Sequence, residues 1–124
     1  GLNLAPHFLD ATFSAAWMSI QGGGTPRPVS PAERADRAAR RASIPAPSLE
    51  SLIAHVRHAI RVGGEDVVGI GGDLDGIERL PLGIETVADY PKLSALFQSA
   101  GLSERQIEKV CSGNFLRVFA EVLP

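Results

Sequence analysis

The stretch that most constrains the fold of this chain is residues 66–76, where a short apolar segment ends at acidic residues set among glycines. Its apolar residues Val67, Val68 and Ile70 are β-branched and do not alternate with polar residues. Such a pattern is typical of a parallel strand that is covered on both faces. Because helical patterns precede and follow it, we predict a strand over residues 66–71 within a βα unit.

Two carboxylates, those of Asp73 and Asp75, come directly after the predicted strand. Ligands of βα units bind beyond the carboxyl ends of the strands, where a carboxylate can ligate a metal ion or transfer protons in hydrolysis. The same residues also suit an ordinary turn, since Asp side chains cap turns and Gly adopts positive φ. The spacing alone leaves both interpretations open.

Turn and cap signals divide the rest of the chain into short elements. Ser30, Pro31 and Glu33 form a complete helix start, so we expect a surface helix there. The helix after it has a regular apolar face. In chain order we predict a strand end (residues 1–5), a loop (6–10), a helix (11–20), a flexible loop (21–30), two helices (31–42 and 49–62), the central strand (66–71), a long loop that packs down (77–89), and helices beginning at 91 and 104.

Three residues near the C-terminus also carry predictions. Gly113 and Asn114 interrupt the last helical pattern, so the helix is expected to kink or start again there, with Asn114 as a candidate N-cap. Cys111 falls on the apolar side of the same pattern, and we expect it to be inert. As the sole cysteine it excludes an internal disulfide. It is consistent with a reducing compartment, which favours the cytoplasm although the sequence leaves the localisation open.

Charge and hydropathy argue against two classes of partner. The formal net charge of −2 gives nucleic acid no electrostatic reason to bind. The arginines within residues 27–41 are interleaved with Glu33 and Asp36, which indicates a solvated helix face rather than a phosphate site. No apolar run approaches the roughly 18 residues needed to cross a bilayer. We therefore expect neither a nucleic acid nor a membrane as a partner.

Several familiar sites fail on spacing. A calcium loop beginning at Asp73 would need an acid at its fifth position and a glycine at its sixth. This chain has Ile77 and Glu78 there. Neither a complete dinucleotide fingerprint nor a phosphate loop is present. His55 and His58 are three residues apart, a helical spacing that could hold a metal ion. No third ligand shares that surface, so we expect both histidines to be exposed or partly buried.

Longer motifs are more specific. Residues 69–76 read Gly-Ile-Gly-Gly-Asp-Leu-Asp-Gly, which resembles the Gly-Ile-Gly-Ser-Asp-Phe-Asp-Gly closing strand of the membrane (renal) dipeptidase family of zinc metallopeptidases. Residues 81–87 and 90–93 are similar to the loop and helix start that follow in that family. The resemblance continues at residues 101–104 and 113–118, and residues 3–9 are similar to the end of its seventh strand. Only about residues 11–46 match loosely.

The resemblance implies a fold and a function. The chain would be the C-terminal portion of a (β/α)8 TIM-like barrel, of α/β class, with two parallel strands and a mostly helical remainder. Residues 1–124 would then form a single partial domain. The parent enzyme would be a metallo-dipeptidase that hydrolyses dipeptides at two zinc ions, whose His, Asp and Glu ligands lie on strands absent from this chain. Asp73 would exchange a proton with the attacking water and the leaving amine, and Asp75 would hold the glycine turn.

The chain also departs from the family pattern. Gly72 replaces a usual Ser, Leu74 replaces a usual Phe, and Ala5 stands where a Tyr is frequent. Phe8 is expected to line the substrate pocket instead of that Tyr. The alternative function is a catalytically inactive α/β fragment that self-associates or binds a partner. Unpaired strand edges and unpartnered apolar helix faces lead us to expect a homo-oligomer, and we expect the isolated chain to be inactive.

Overall fold

The computed structural model describes residues 1–21 and 28–124, most of which are helical. The predicted flexible loop at residues 21–30 lies mostly outside the described residues. Within the described ranges, no helix has the length and apolar character needed to cross a bilayer. The elements are β1 (Leu2–Asn3), α1 (Pro6–Leu9), α2 (Ala11–Gln21), α3 (Pro31–Ala42), α4 (Glu50–Gly63), β2 (Ile70–Gly72), a 3₁₀ turn (Val87–Asp89), α5 (Pro91–Ser99), α6 (Glu104–Glu108), a π-helical turn (Lys109–Gly113) and α7 (Asn114–Val122).

The two strands lie side by side and run parallel. Leu2 is paired with Ile70 and Asn3 with Gly72, with an irregularity between the two pairs. The backbone N–H of Leu2 donates to the Gly69 carbonyl at 2.6 Å. The prediction of two parallel strands in a mostly helical chain is confirmed. The barrel implied by the resemblance stays a prediction.

The central strand is shorter than predicted. It covers only Ile70–Gly72, and Val67 is 59% exposed although Val68 is buried. The expectation of a longer strand covered on both faces was therefore wrong. The physical reason is Asn114, whose side-chain amide donates to the carbonyls of Glu65 at 2.8 Å and of Val68 at 2.8 Å. These carbonyls bond a side chain of α7 instead of a neighbouring strand, and the chain turns there.

The segment between β1 and α2 is also different from the prediction. Residues 6–10 were expected to form a loop, but Pro6–Leu9 forms the short helix α1, with the proline at its first position. Proline suits that position because its missing N–H has no helical partner there. Asp10 then accepts a hydrogen bond from the backbone N–H of Phe13 at 2.7 Å, which links α1 to α2.

The main core lies between α4, α5 and the two strands. Leu52 and Val56 on α4 are fully buried, as the apolar period of that helix predicts. The long loop packs down through Ile84, which is 1% exposed. The buried members of this core are Leu4, Leu9, Leu52, Val56, Val68, Ile84, Leu93, Phe97, Leu102 and Val110. A second cluster joins α2 to the segment after α3, and its buried members are Phe13, Trp17, Ile20 and Ile44.

The helix starts predicted at residues 31 and 104 are confirmed. The Ser30 hydroxyl accepts a hydrogen bond from the Glu33 N–H at 3.2 Å, and α3 contains no buried residue. At the start of α6, the Ser103 hydroxyl accepts from the Gln106 N–H and the Gln106 side chain accepts from the Ser103 N–H. These reciprocal bonds satisfy amide groups that would otherwise lack a partner in the first turn.

The C-terminal helices correct two predictions. Asn114 is not an N-cap, because α7 follows the π-helical turn without a side-chain cap. Cys111 is exposed rather than on the apolar side. A π-helical turn contains more residues than an α-helical turn, so a regular α-helical period misplaces the side chains around it. Beyond it, Leu116, Phe119 and Val122 are 62%, 49% and 67% exposed, and we call these residues the C-terminal apolar face.

A cluster of charges joins the π-helical turn to the segment before β2. The Lys109 ammonium lies 2.9 Å from Glu65 Oε1 and 2.5 Å from Asp66 Oδ1, and Arg105 Nε lies 2.6 Å from Glu65 Oε1. The hydrogen bonds from Lys109 lower the pKa of both carboxyls. The same bonds, first that to Asp66, raise the pKa of Lys109.

Candidate active site

The ends of the two strands bring Asn3 and Asp73 together. Because the strands are parallel, their carboxyl ends meet at one edge of the sheet. The Asn3 side-chain nitrogen donates to Asp73 Oδ2 at 2.6 Å. The carboxylate is exposed at this edge. The structure therefore places Asp73 where the sequence predicted it, beyond the end of the central strand and open to a ligand.

The backbone at Asp73 is unusual. Gly72 has a φ of +77° and Asp73 a φ of +66°, and Asp73 is the only non-glycine residue with positive φ in the described part of the chain. Left-handed backbone costs a residue with a Cβ roughly 1–2 kcal/mol. The Asp73 N–H donates to the Gly71 carbonyl at 3.1 Å, which closes the turn. The turn and the strand end are thus the same feature, and the catalytic role of its carboxylates stays a prediction.

Tyr90 packs against this turn from the start of α5. A Cβ built on Gly72 would overlap the Tyr90 hydroxyl oxygen, so the close approach of the two residues requires a glycine. Burial raises the pKa of Tyr90 above its ordinary value of 10.0. The hydroxyl is therefore protonated and neutral at physiological pH.

A cleft of about 190 Å³ opens next to the turn. It lies between α1, α2 and the loop that follows Asp75. Asp73 is not one of the lining residues, but it neighbours one of them, since a Cβ on Gly76 would lie 3.9 Å from Asp73 Oδ1. The lining residues are Pro6, His7, Phe13, Trp17, Gln21, Gly76, Ile77, Glu78 and Arg79.

The other predicted site residue, Phe8, lies on α1 just after β1. It is 63% exposed, and its ring centroid is 4.3 Å from that of His7. His7 lines the cleft, whereas Phe8 is not among the lining residues. The assignment of Phe8 to a substrate pocket stays a prediction. Asp75 is exposed as well and forms no ion pair within the described ranges.

Two charged lining residues of the cleft, Glu78 and Arg79, bond to the end of α3 and the residues after it. The Arg41 guanidinium lies 2.8 Å from Glu78 Oε1 and 4.7 Å from the centre of the Trp17 ring. Arg79 donates to the Arg41 carbonyl at 2.8 Å and also to the Ile44 carbonyl. Cations near the end of a helix interact favourably with its last carbonyls. These contacts hold the end of α3 against the loop after Asp75. Arg41 is paired with Glu78, and Arg79 is bonded to backbone carbonyls.

The histidines of α4 are engaged in other contacts. His55 Nε2 lies 3.1 Å from the Leu9 carbonyl oxygen, and His58 Nδ1 lies 2.8 Å from an Arg61 guanidinium nitrogen. Both side chains are exposed, as predicted. Among residues 1–21 and 28–124, no group of three or more His, Cys, Asp or Glu side chains is placed to hold a metal ion. The described residues therefore do not fit a zinc centre by themselves.

The sequence profile of the membrane dipeptidase family, peptidase family M19, matches residues 1–123. This chain belongs to that family. The family consists of metallo-dipeptidases, and the resemblance inferred from the motifs is confirmed. A 75-residue stretch, 60% of this chain, is 40% identical to dipeptidase 3 of Mus musculus. That stretch spans 15% of the length of the mouse protein, so the chain corresponds to a small part of this member of the family.

Asn3 and Tyr90 are the residues that sequence reasoning did not assign to the site. Each lies in a motif that resembles the family, but neither motif shows what the side chain contacts. A signal was present for Asn3, since it is a polar residue at the end of an otherwise apolar strand. Its partner is 70 residues away in the sequence, and only the fold brings them together.

Proposed function

We propose that this chain is the C-terminal segment of a zinc-dependent dipeptidase that hydrolyses the amide bond of dipeptides, with Asp73 as the proton-transfer residue. The observation that carries this proposal is the Asp73 carboxylate. It is exposed at the carboxyl end of β2, close to a cleft and bonded by Asn3, in a chain whose family match covers residues 1–123.

In this proposal Asp73 acts first as a general base and then as a general acid. The ionised carboxylate takes a proton from the attacking water as its oxygen bonds to the amide carbon. The protonated carboxyl then gives that proton to the amine nitrogen as the carbon–nitrogen bond breaks, and the carboxylate is restored. A positioned side chain of this kind contributes about 100- to 10,000-fold to a rate.

The rest of the enzyme has to supply the metal centre. The resemblance places the zinc ligands on strands that this chain does not contain, and the mouse relative is much longer than the matched stretch. When bound, zinc would polarise the amide and activate water. We expect the isolated 124 residues to be inactive, and zinc-dependent turnover of a dipeptide by this polypeptide alone would contradict that.

The test uses the complete coding sequence that contains this chain. The purified product is loaded with zinc and assayed for hydrolysis of an alanyl dipeptide. We expect Asp73→Asn to lower kcat/KM by about 100- to 10,000-fold with zinc content unchanged. Asp75→Asn is the matched control, since it alters a carboxylate two residues away, and it should stay within about fivefold of wild type. Equal losses in both variants would contradict the role of Asp73.

The second candidate function is a non-catalytic fragment that self-associates. The C-terminal apolar face favours it, because clustered exposed apolar side chains are typical of interaction surfaces. The open edges of the two-stranded sheet can also pair with a further strand. Light scattering on the isolated chain should then show a dimer or larger species that Phe119→Ser shifts toward monomer. A monomer at every concentration would exclude this candidate.

A further inference from the structure

We propose that Asn3 is a positioning residue for Asp73, which holds one carboxylate oxygen and leaves the other for the reacting proton. This role rests on the proposed function, because it assigns a task to Asn3 only through Asp73. The observation is a pair of hydrogen bonds that use both ends of the Asn3 amide group.

Two hydrogen bonds determine the orientation of the Asn3 amide. Its nitrogen donates to Asp73 Oδ2 at 2.6 Å, and its oxygen accepts from the Ala5 N–H at 2.7 Å. A flipped amide would place an oxygen against the carboxylate and an NH₂ group against an N–H donor, so both contacts would become repulsive. Ala5 is fully buried, which anchors the amide to a fixed part of the backbone.

The two carboxylate oxygens of Asp73 differ in their hydrogen bonding. Oδ2 carries the bond from Asn3, while no hydrogen bond to Oδ1 is present among residues 1–21 and 28–124. Oδ1 is also the oxygen that lies 3.9 Å from the Cβ position of Gly76, which lines the cleft. The geometry therefore assigns Oδ2 to positioning and Oδ1 to proton transfer.

The pairing of the two strands does not depend on the bond between Asn3 and Asp73. Backbone hydrogen bonds from Leu2 to Gly69 at 2.6 Å and from Leu4 to Gly72 at 3.0 Å already join the strands. Within the described residues the Asp73 side chain accepts no other hydrogen bond that could restrain it. The Asn3 side chain supplies that restraint from the neighbouring strand.

The experiment is a double-mutant cycle in the complete zinc-loaded enzyme, with the alanyl dipeptide as substrate. Asn3→Ala should lower kcat by about 10- to 100-fold and change KM by less than about threefold, because misplacing a reacting group costs rate more than binding. In the Asp73→Asn background the same substitution should lower kcat by less than about twofold, since no catalytic carboxylate remains to be positioned.

Asn3→Asp preserves the shape of the side chain but replaces the donor with a negative charge. It should lose at least as much kcat as Asn3→Ala, since it places a second carboxylate against the first. Zinc content and thermal melting are measured on every variant. Equal effects of Asn3→Ala with and without Asp73, or a loss confined to KM, would overturn the positioning role while leaving the proposed function intact. Absence of turnover in the wild-type enzyme would overturn the proposed function and this role with it.

Discussion

Replacing Gly72 with alanine is expected to destabilise the turn that presents Asp73. Gly72 has a φ of +77°, and left-handed backbone costs an alanine roughly 1–2 kcal/mol relative to its preferred regions. The new methyl group would also overlap the Tyr90 hydroxyl oxygen. Overpacking of this kind costs about 1–3 kcal/mol. We therefore expect the free energy of unfolding to fall by about 2–5 kcal/mol, the sum of the two ranges.

The steric part of this cost can be separated from the backbone part. Tyr90→Phe removes the hydroxyl oxygen, and the next atom near the Cβ position is a ring carbon at 3.2 Å. In the Tyr90→Phe background, Gly72→Ala should cost little more than the backbone part of about 1–2 kcal/mol, because the ring then has to move by only a few tenths of an ångström. Gly64→Ala is the matched control, because Gly64 has a φ of +83° with no atom within 4 Å of its Cβ position. Its cost should not depend on Tyr90.

The assay is urea unfolding of the 124-residue chain, followed by the fluorescence of the single tryptophan, Trp17. The m-value is compared across variants, because only a constant m allows the midpoints to be read as free energies. An equal cost of Gly72→Ala in the wild-type and Tyr90→Phe backgrounds would refute the reasoning. So would a cost of Gly64→Ala as large as that of Gly72→Ala.

Two other changes probe the segment before β2. Asn114→Ala leaves the carbonyls of Glu65 and Val68 without their bonds and should lower the free energy of unfolding by about 2–4 kcal/mol in urea titrations, whereas an effect below about 0.5 kcal/mol would contradict it. The lowered pKa values of Glu65 and Asp66 mean that their pairing with Lys109 stabilises the fold at neutral pH and is lost as the pH falls below their ordinary values of 4.5 and 3.8. In thermal melts, Lys109→Met should lose less stability than wild type as the pH is lowered. The same pH dependence in both proteins would contradict the pairing.

Local signals in the sequence were reliable where local chemistry decides the structure. The caps at Ser30 and Ser103 bond to N–H groups three residues ahead, so the residues that make them are visible together in the sequence. The buried face of α4 follows from its 3.6-residue period in the same way. Asp73 was placed correctly for a related reason, because a strand followed by a glycine turn is a short motif.

The features that sequence reasoning missed depend on distant contacts. Asn114 shortens the central strand from 46 residues away, through a bond to the Val68 carbonyl. Its identity suggested an N-cap because asparagine is common there, and nothing nearby in the sequence pointed to a carbonyl partner. The four-residue helix Pro6–Leu9 is shorter than an apolar period needs in order to be recognised. The exposure of Cys111 depends on a π-helical turn, which the residue pattern does not predict.

The most direct test of the central claim is the ratio of kcat/KM between wild type and Asp73→Asn in the complete enzyme at equal zinc content. A dipeptide with a blocked amino group is assayed beside it. We expect it to be cleaved more slowly, because a dipeptidase acts on the free dipeptide. We predict zinc-dependent cleavage of the alanyl dipeptide by wild type and a loss of about 100- to 10,000-fold in the variant. An Asp73→Asn enzyme within about threefold of wild type, or a wild type that releases no alanine with zinc bound, would contradict the account.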